Sequence, residues 1–191
     1  MIESGKHRVL AAISIIAILA GAILFVPARR VLQIQNRKNH KQTYYFNAKG
    51  MEYFDISYTH SVNKGQVHDY YDTSRKDNNL LLDHTKFVSY GAGIPEPEET
   101  PGAYFEVTND GYIIHNLNRL VPKLTMAVGI IANHKISFYY QNTDNKEYVD
   151  EYTLTNLFPA QTSITLEIKR VSLISYILHN YKNGGSNGRT E

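Results

Sequence analysis

An unbroken apolar run, Val9 to Val26 (VLAAISIIAILAGAILFV), limits this chain more than any other feature. It holds 18 residues with no charged or strongly polar side chain. As a helix it spans roughly 27 Å, close to the hydrocarbon core of a bilayer. A helix in a soluble core normally keeps a polar stripe, and this run has none. We therefore expect residues 1–28 to be a membrane anchor or signal segment. Lys6 and Arg8 ahead of the run read as the basic start of an export signal. Val26-Pro27-Ala28 offers small residues for cleavage, but Pro27 and the following Arg29-Arg30 make a poor site. An uncleaved anchor is the preferred reading.

Residues 29–42 (RRVLQIQNRKNHKQ) are polar and basic, and read as a linker or stalk able to touch anionic head groups. Without residues 1–28 the chain has 18 basic and 17 acidic side chains. That balance excludes a nucleic-acid binder driven by phosphate neutralisation. Cysteine is absent, which excludes disulfides, thiol nucleophiles and thiolate metal sites.

From Thr43 onward, Tyr and β-branched residues alternate with polar ones. The pattern predicts strands at 43–47, 52–62, 66–74, 79–90, 103–108, 111–116, 119–128, 134–141, 147–154 and 162–171. Turn residues stand between several of them: Asn63-Lys64-Gly65, Lys76 to Asn79, Asn109-Asp110-Gly111 and Asn142 to Asn145. Val171, Ile174, Leu178 and Tyr181 then recur at helical spacing, predicting a short helix over 172–182. The expected architecture is all-β, a mainly antiparallel sandwich or barrel, with an N-terminal transmembrane helix and a short C-terminal helix. Residues 43–182 form its body, and 183–191 a flexible tail.

Within that body, Phe54 to Ser74 reads as a hairpin. A two-residue turn at Lys64-Gly65 pairs Val62 with Val67, His60 with Asp69 and Tyr58 with Tyr71 on one largely apolar face. His60 and Asp69 are then expected across from each other on the core side, with Cβ atoms about 5 Å apart. Such a pair can lock the hairpin, bind a ligand or metal, or act in acid–base chemistry. His134 precedes Ile136, Phe138 and Tyr140 on one strand face and can join them in a two-His, one-carboxylate site. No tight metal-ligand spacing supports that set. His84, His115 and His179 have no partner identifiable from sequence. The many Tyr and Phe residues read as core and cross-strand packing.

Ser89 to Pro95 (SYGAGIP) follows a strand, and Gly91 and Gly93 permit a tight turn or close approach of a ligand. The loop lacks the Gly-Lys-Ser/Thr ending of a phosphate loop and the third glycine of a dinucleotide site.

Tyr58-Thr59-His60-Ser61-Val62, an acidic residue nine positions after the histidine, and then Phe87 to Pro95 follow one another in an order that resembles the bacterial domain-of-unknown-function family eighteen-fifty. Arg119 and the Ala132-Asn133-His134 stretch fit the later part of that pattern. Asp69 stands where the family has Glu, Tyr90 where it has Phe and Ile94 where it has Leu; the segment Glu96 to Pro101 is peculiar to this chain. The resemblance implies a small exported protein encoded beside TAXI-type TRAP transporters, with no established activity. It gathers His60, Ser61, Asp69, Gly91, Gly93, Arg119 and His134 as the expected ligand-binding residues.

The orientation signals conflict. Arg29, Arg30, Arg37, Lys38 and Lys41 after the apolar run outnumber Lys6 and Arg8 before it, favouring a cytoplasmic body. The missing cysteines and the resemblance favour an extracytoplasmic one, which we expect, on a single-pass protein of the cell membrane. The leading functional expectation is an accessory or ligand-binding component partnered with the TRAP permease or the TAXI solute-binding subunit. The alternatives are a metal-dependent enzyme using His60, Asp69 and His134, and a structural envelope protein. No cofactor is expected, except a divalent metal under the enzyme alternative.

Overall fold

The computed structural model describes residues 2–75, 77–89, 94, 98, 100–141 and 147–183. An N-terminal helix, α1 (Ile2–Phe25), leads into a body with twelve strands among the described residues. Its stretch Lys6–Phe25 has mean hydropathy 2.5, is long and apolar enough to cross a membrane, and is not buried against the body. Only residues 26–28 separate α1 from β1 (Arg29–Asn36).

The smaller sheet has the order β2 (Thr43–Asn47), β1, β12 (Ser163–Val171), β9 (Leu124–Ala127). The larger runs β11 (Glu147–Thr153), β10 (Lys135–Gln141), β3 (Met51–Thr59), β4 (Gln66–Asp72), β5 (Leu80–Phe87), β7 (Gly111–His115), β6 (Tyr104–Thr108), with β8 (Arg119–Val121) also paired to β5. Every pairing is antiparallel. The expected all-β body with a terminal helix at each end is thus observed, as two facing sheets.

Alternation builds the core. Leu32 and Ile34 of β1 and Ile164, Leu166 and Ile168 of β12 point every second side chain toward the larger sheet. That sheet returns Phe54, Ile56, Val67, Tyr71, Ile114, Ile136 and Phe138. Phe46 of β2 lies 4.5 Å from Phe138, joining the two layers ring to ring. Truncating a fully buried ring such as Phe138 to Ala costs about 3–5 kcal/mol.

The stretch 29–42, expected as a linker, is instead largely a central strand. Its charges mark the strand ends, while Val31, Leu32 and Ile34 between them are wholly buried. The single strand expected at 119–128 is two, β8 and β9, which lie in different sheets. Pro122, which has no N–H to give a ladder, stands at the break. The Asn109-Asp110-Gly111 turn forms as expected. Gly111 adopts φ +143°, and a Cβ there would stand 2.4 Å from the Phe87 carbonyl oxygen, so glycine is required.

Two small helices complete the body. α2 (Leu154–Leu157) buries Leu154 and Leu157. α3 (Leu173–Asn183) touches β2 and α1. The expected turns beginning at Lys76 and Asn142, and the tail beyond Asn183, lie wholly or partly outside the described residues.

Candidate functional site

The β3–β4 hairpin closes differently from expectation. Strand β3 ends at Thr59 and β4 starts at Gln66, so residues 60–65 form a wider loop. His60 organises it. Its Nδ1 accepts the backbone N–H groups of Val62 (3.3 Å) and Asn63 (3.4 Å), and the His60 backbone N–H donates to the Gly65 carbonyl at 2.8 Å. Asn63 accepts from the Gly65 N–H at 2.9 Å, and Lys64 adopts the left-handed conformation, φ 61°. The imidazole fills the place an Asn or Asp side chain takes in a turn, and a two-residue turn has no room for that. The register therefore moves by four residues on one strand. Asp69 faces Ile56, and Tyr58 faces Val67. The expected His60–Asp69 cross-strand pair does not form; because the shift is even, both residues keep their faces.

Asp69 accordingly lies in an inner-face row that reads Ile136, Ile56, Asp69, Thr85, Ile114 across five strands. Its Oδ1 accepts the hydroxyl of fully buried Thr85 at 2.8 Å. Burial pushes the Asp69 carboxyl above the ordinary carboxylate value, and the Thr85 bond draws it back only in part. Two phenols feel the same surroundings. Burial, then the Asp69 charge, pushes Tyr58 up to about 12; the same two causes raise Tyr71, while Arg119 pulls Tyr71 down. Arg119 is exposed on β8, opposite Leu82, which in turn faces Tyr71.

The other expected residues are spread around this group. The His134 ring lies 5.7 Å from Tyr58, and its Nδ1 accepts the Gly129 N–H at 3.0 Å. Burial lowers its pKa, favouring the neutral ring. Ser61 is exposed on the loop that His60 organises. Gly91 and Gly93 lie outside the described residues. Among the described residues no three His, Asp or Glu side chains come close enough to hold a metal ion, which removes the geometry the His60, Asp69, His134 set needs.

The outer face of the same sheet holds a network absent from the sequence reading. Asp55 is 1% exposed; its Oδ2 lies 2.7 Å from His68 Nδ1, and its Oδ1 accepts the Tyr139 hydroxyl at 3.3 Å. Burial, followed by the Asp55 charge, raises the Tyr139 phenol. Tyr53 stacks on Tyr139 at 4.3 Å, Tyr70 on His84 at 4.2 Å, and Tyr104 on His115 at 4.7 Å. Two of the three histidines that had no identifiable partner have carboxylates, His84 with Asp83 at 2.8 Å and His115 with Glu106 at 2.6 Å, while His179 Nδ1 lies 3.0 Å from the Ser175 carbonyl. The visible signal was the polar–aromatic alternation of Tyr53, Asp55 and Ser57 against His68 and Tyr70. Rings stacked face to face across strands cross-brace the sheet.

Residues 54–145 match the family model described as Domain of unknown function (DUF1850). No curated protein matches the chain, and no solved structure does. The matched segment carries the β3–β4 hairpin, with Asp55, His60, Asp69 and Thr85, and most of the larger sheet; α1, β1, β2, β12 and α3 lie outside it. It is through residues 54–145 that the chain is similar to the DUF1850 family.

Proposed function

We propose that this protein is a membrane-anchored accessory or ligand-binding component serving a TAXI-type TRAP solute transporter, with its body on the extracytoplasmic side. The observation that carries the anchoring is α1. Ile13, Ile16, Ile18 and Ile23 are all more than half exposed, and no groove of the body receives them. A soluble chain rarely leaves so large a continuous apolar surface in water, whereas a bilayer covers it. The transporter context rests on the resemblance carried by the Tyr58 to Val62 and Ser89 to Pro95 strings. A two-sheet body suits an accessory role better than that of the solute-binding subunit, which generally closes two lobes over its ligand.

Asp69 is the ligand-facing group in this reading. A carboxylate held up by burial, with one neutral donor and flanked by Tyr58 and Tyr71, is the kind of perturbed group that recurs at binding sites. The test is co-purification of tagged full-length protein from its native membrane, followed by mass spectrometry of whatever comes with it. Recovery of the permease or the TAXI subunit with the native chain, and its loss with a folded Asp69→Asn variant, is the expected result. Recovery of the protein alone in mild detergent overturns the accessory role.

A further inference from the structure

Where α1 meets the body, the smaller sheet opens into a cleft of 610 Å³ that reaches from Ala28 and the start of β1 to Ser74 beyond β4. Arg29, Arg30, Lys49 and Arg170 line it, and no carboxylate does. Among the described residues none of these four has a carboxylate within ion-pair distance.

The arrangement is electrostatically uncomfortable. Arg30 and Arg170 stand directly opposite each other in the β1–β12 register, where like charges repel. Burial, and then Arg170, lower the Arg30 pKa, while Asp72 and Asp77 oppose that from outside the cation set. The Arg30 guanidinium cannot swing away to relieve the repulsion: it donates to the Thr73 carbonyl at 2.5 Å, the Arg75 carbonyl at 3.0 Å and Asn78 Oδ1 at 3.4 Å. All three are neutral oxygens, so the positive charge is held in place and is offset only in part, at a distance, by Asp72 and Asp77. Arg29 is pinned 4.1 Å above the Tyr176 ring of α3, and its buried Nε has no hydrogen-bond partner. Lys49 and Arg170 are exposed and free to converge. Fixed guanidinium groups with unused donors are what a phosphate oxyanion engages.

Position names the source of that phosphate. The cleft begins at Ala28, three residues past the end of α1. With α1 as a span, that is the depth of the head-group layer. α3 runs beside α1 and leaves Ile177 and Leu178 half exposed, as a helix lying in a membrane interface does. We propose that Arg30, Lys49 and Arg170 seat the phosphate of an anionic phospholipid from the leaflet out of which α1 emerges, Arg29 adding positive charge from the α3 face of the same strand. This inference rests on α1 being the membrane span of the proposed function.

The experiment uses the full chain in nanodiscs of phosphatidylcholine, with or without phosphatidylglycerol. Native mass spectrometry after gentle release reads the lipid that stays bound. Lys49→Gln and Arg170→Gln are the variants, because neither side chain holds a bond among the described residues; Arg30 is left intact, since its bonds tie β1 to the β4–β5 turn. Lys86→Gln on the opposite sheet controls for net charge.

Wild type is expected to retain phosphatidylglycerol over phosphatidylcholine. Each variant should lose about fivefold of that preference, the equivalent of about 1 kcal/mol per basic side chain near an anionic head group, and Lys86→Gln none. Equal retention by wild type and by both the Lys49→Gln and the Arg170→Gln variants overturns the site. So does equal thermal protection by inorganic phosphate in plain phosphatidylcholine discs, which would make the cleft a free-anion site. Extraction of native membranes with alkaline carbonate separates the two readings. Release of the protein removes the anchor and the lipid seat together. Retention without head-group preference removes only the seat.

Discussion

Asp55 and Asp69 sit on neighbouring strands of one hairpin and face opposite sides of the same sheet. Asp55 is the more deeply enclosed of the two, yet its oxygens meet both a histidine and a tyrosine hydroxyl. Asp69 meets a single neutral hydroxyl in an apolar row, and burial holds its carboxyl up. Strand parity decides the face, and the face decides the chemistry. The outer carboxylate completes a cross-braced network. The inner one is left short of donors, at a cost to stability, and we place the ligand there.

The strongest way to break this contrast is Thr85→Val. It is nearly isosteric and removes the hydroxyl that Asp69 accepts. An ionised carboxylate is then left without its hydroxyl donor in the inner-face row, and the fold should lose about 2–3 kcal/mol at neutral pH. Urea denaturation measures it. The loss should shrink as the solution is acidified, because a protonated Asp69 needs the donor less. A loss that is the same at every pH would mean that Asp69 is not the group affected.

Asp55→Ala comes next, at about 2 kcal/mol, from two lost hydrogen bonds and a small cavity. The His68 side chain is 35% exposed and can turn its nitrogen to water, which limits the damage. A smaller effect has the opposite sign. The fold raises the Asp69 pKa, so between the unfolded and folded values the native state binds more protons, and stability falls as pH rises through that window. The full cost is present above the folded value. Asp69→Asn abolishes it and should stabilise the neutral protein by about 1 kcal/mol, with no gain below the ordinary carboxylate range. A destabilised Asp69→Asn variant at neutral pH would show that the carboxylate supports the fold and would remove the argument for a ligand there.

Most of the strands were legible because period-two alternation and turn chemistry are local properties. Thr43 to Asn47 and Lys135 to Gln141 carry their burial pattern in their own residues. The faces of the hairpin were legible for the same reason, since parity survives an even shift. Its register was not. The loop length depends on the His60 ring receiving two backbone N–H groups, a preference that no count of residues reveals. Every cross-strand partner that depends on register was lost with it, including His68 with Asp55. β1 was hidden for another reason: Arg29 and Arg30 made its start look solvated, and the apolar Val31, Leu32 and Ile34 are too few to outweigh flanking polar residues until β2 and β12 cover them.

The gentlest test bears on whether the outer face is scaffold alone. His84 lies between the Tyr70 ring at 4.2 Å and the His115 ring at 6.0 Å, with Asp83 on its Nδ1. Removing it as His84→Ala deletes one member of a partly exposed stack and should cost only about 0.5–1 kcal/mol by thermal or chemical unfolding. Because the proposed ligand group, Asp69, faces the other side of the sheet, the same variant should leave partner recovery from native membranes unchanged. Loss of the partner from a variant of near-native stability would move the functional surface from Asp69 to the Tyr70–His84 groove, whose walls also carry Glu52, Asp72 and Asp83. That groove is acidic while the cleft beside α1 is basic, so a partner seated there would be cationic.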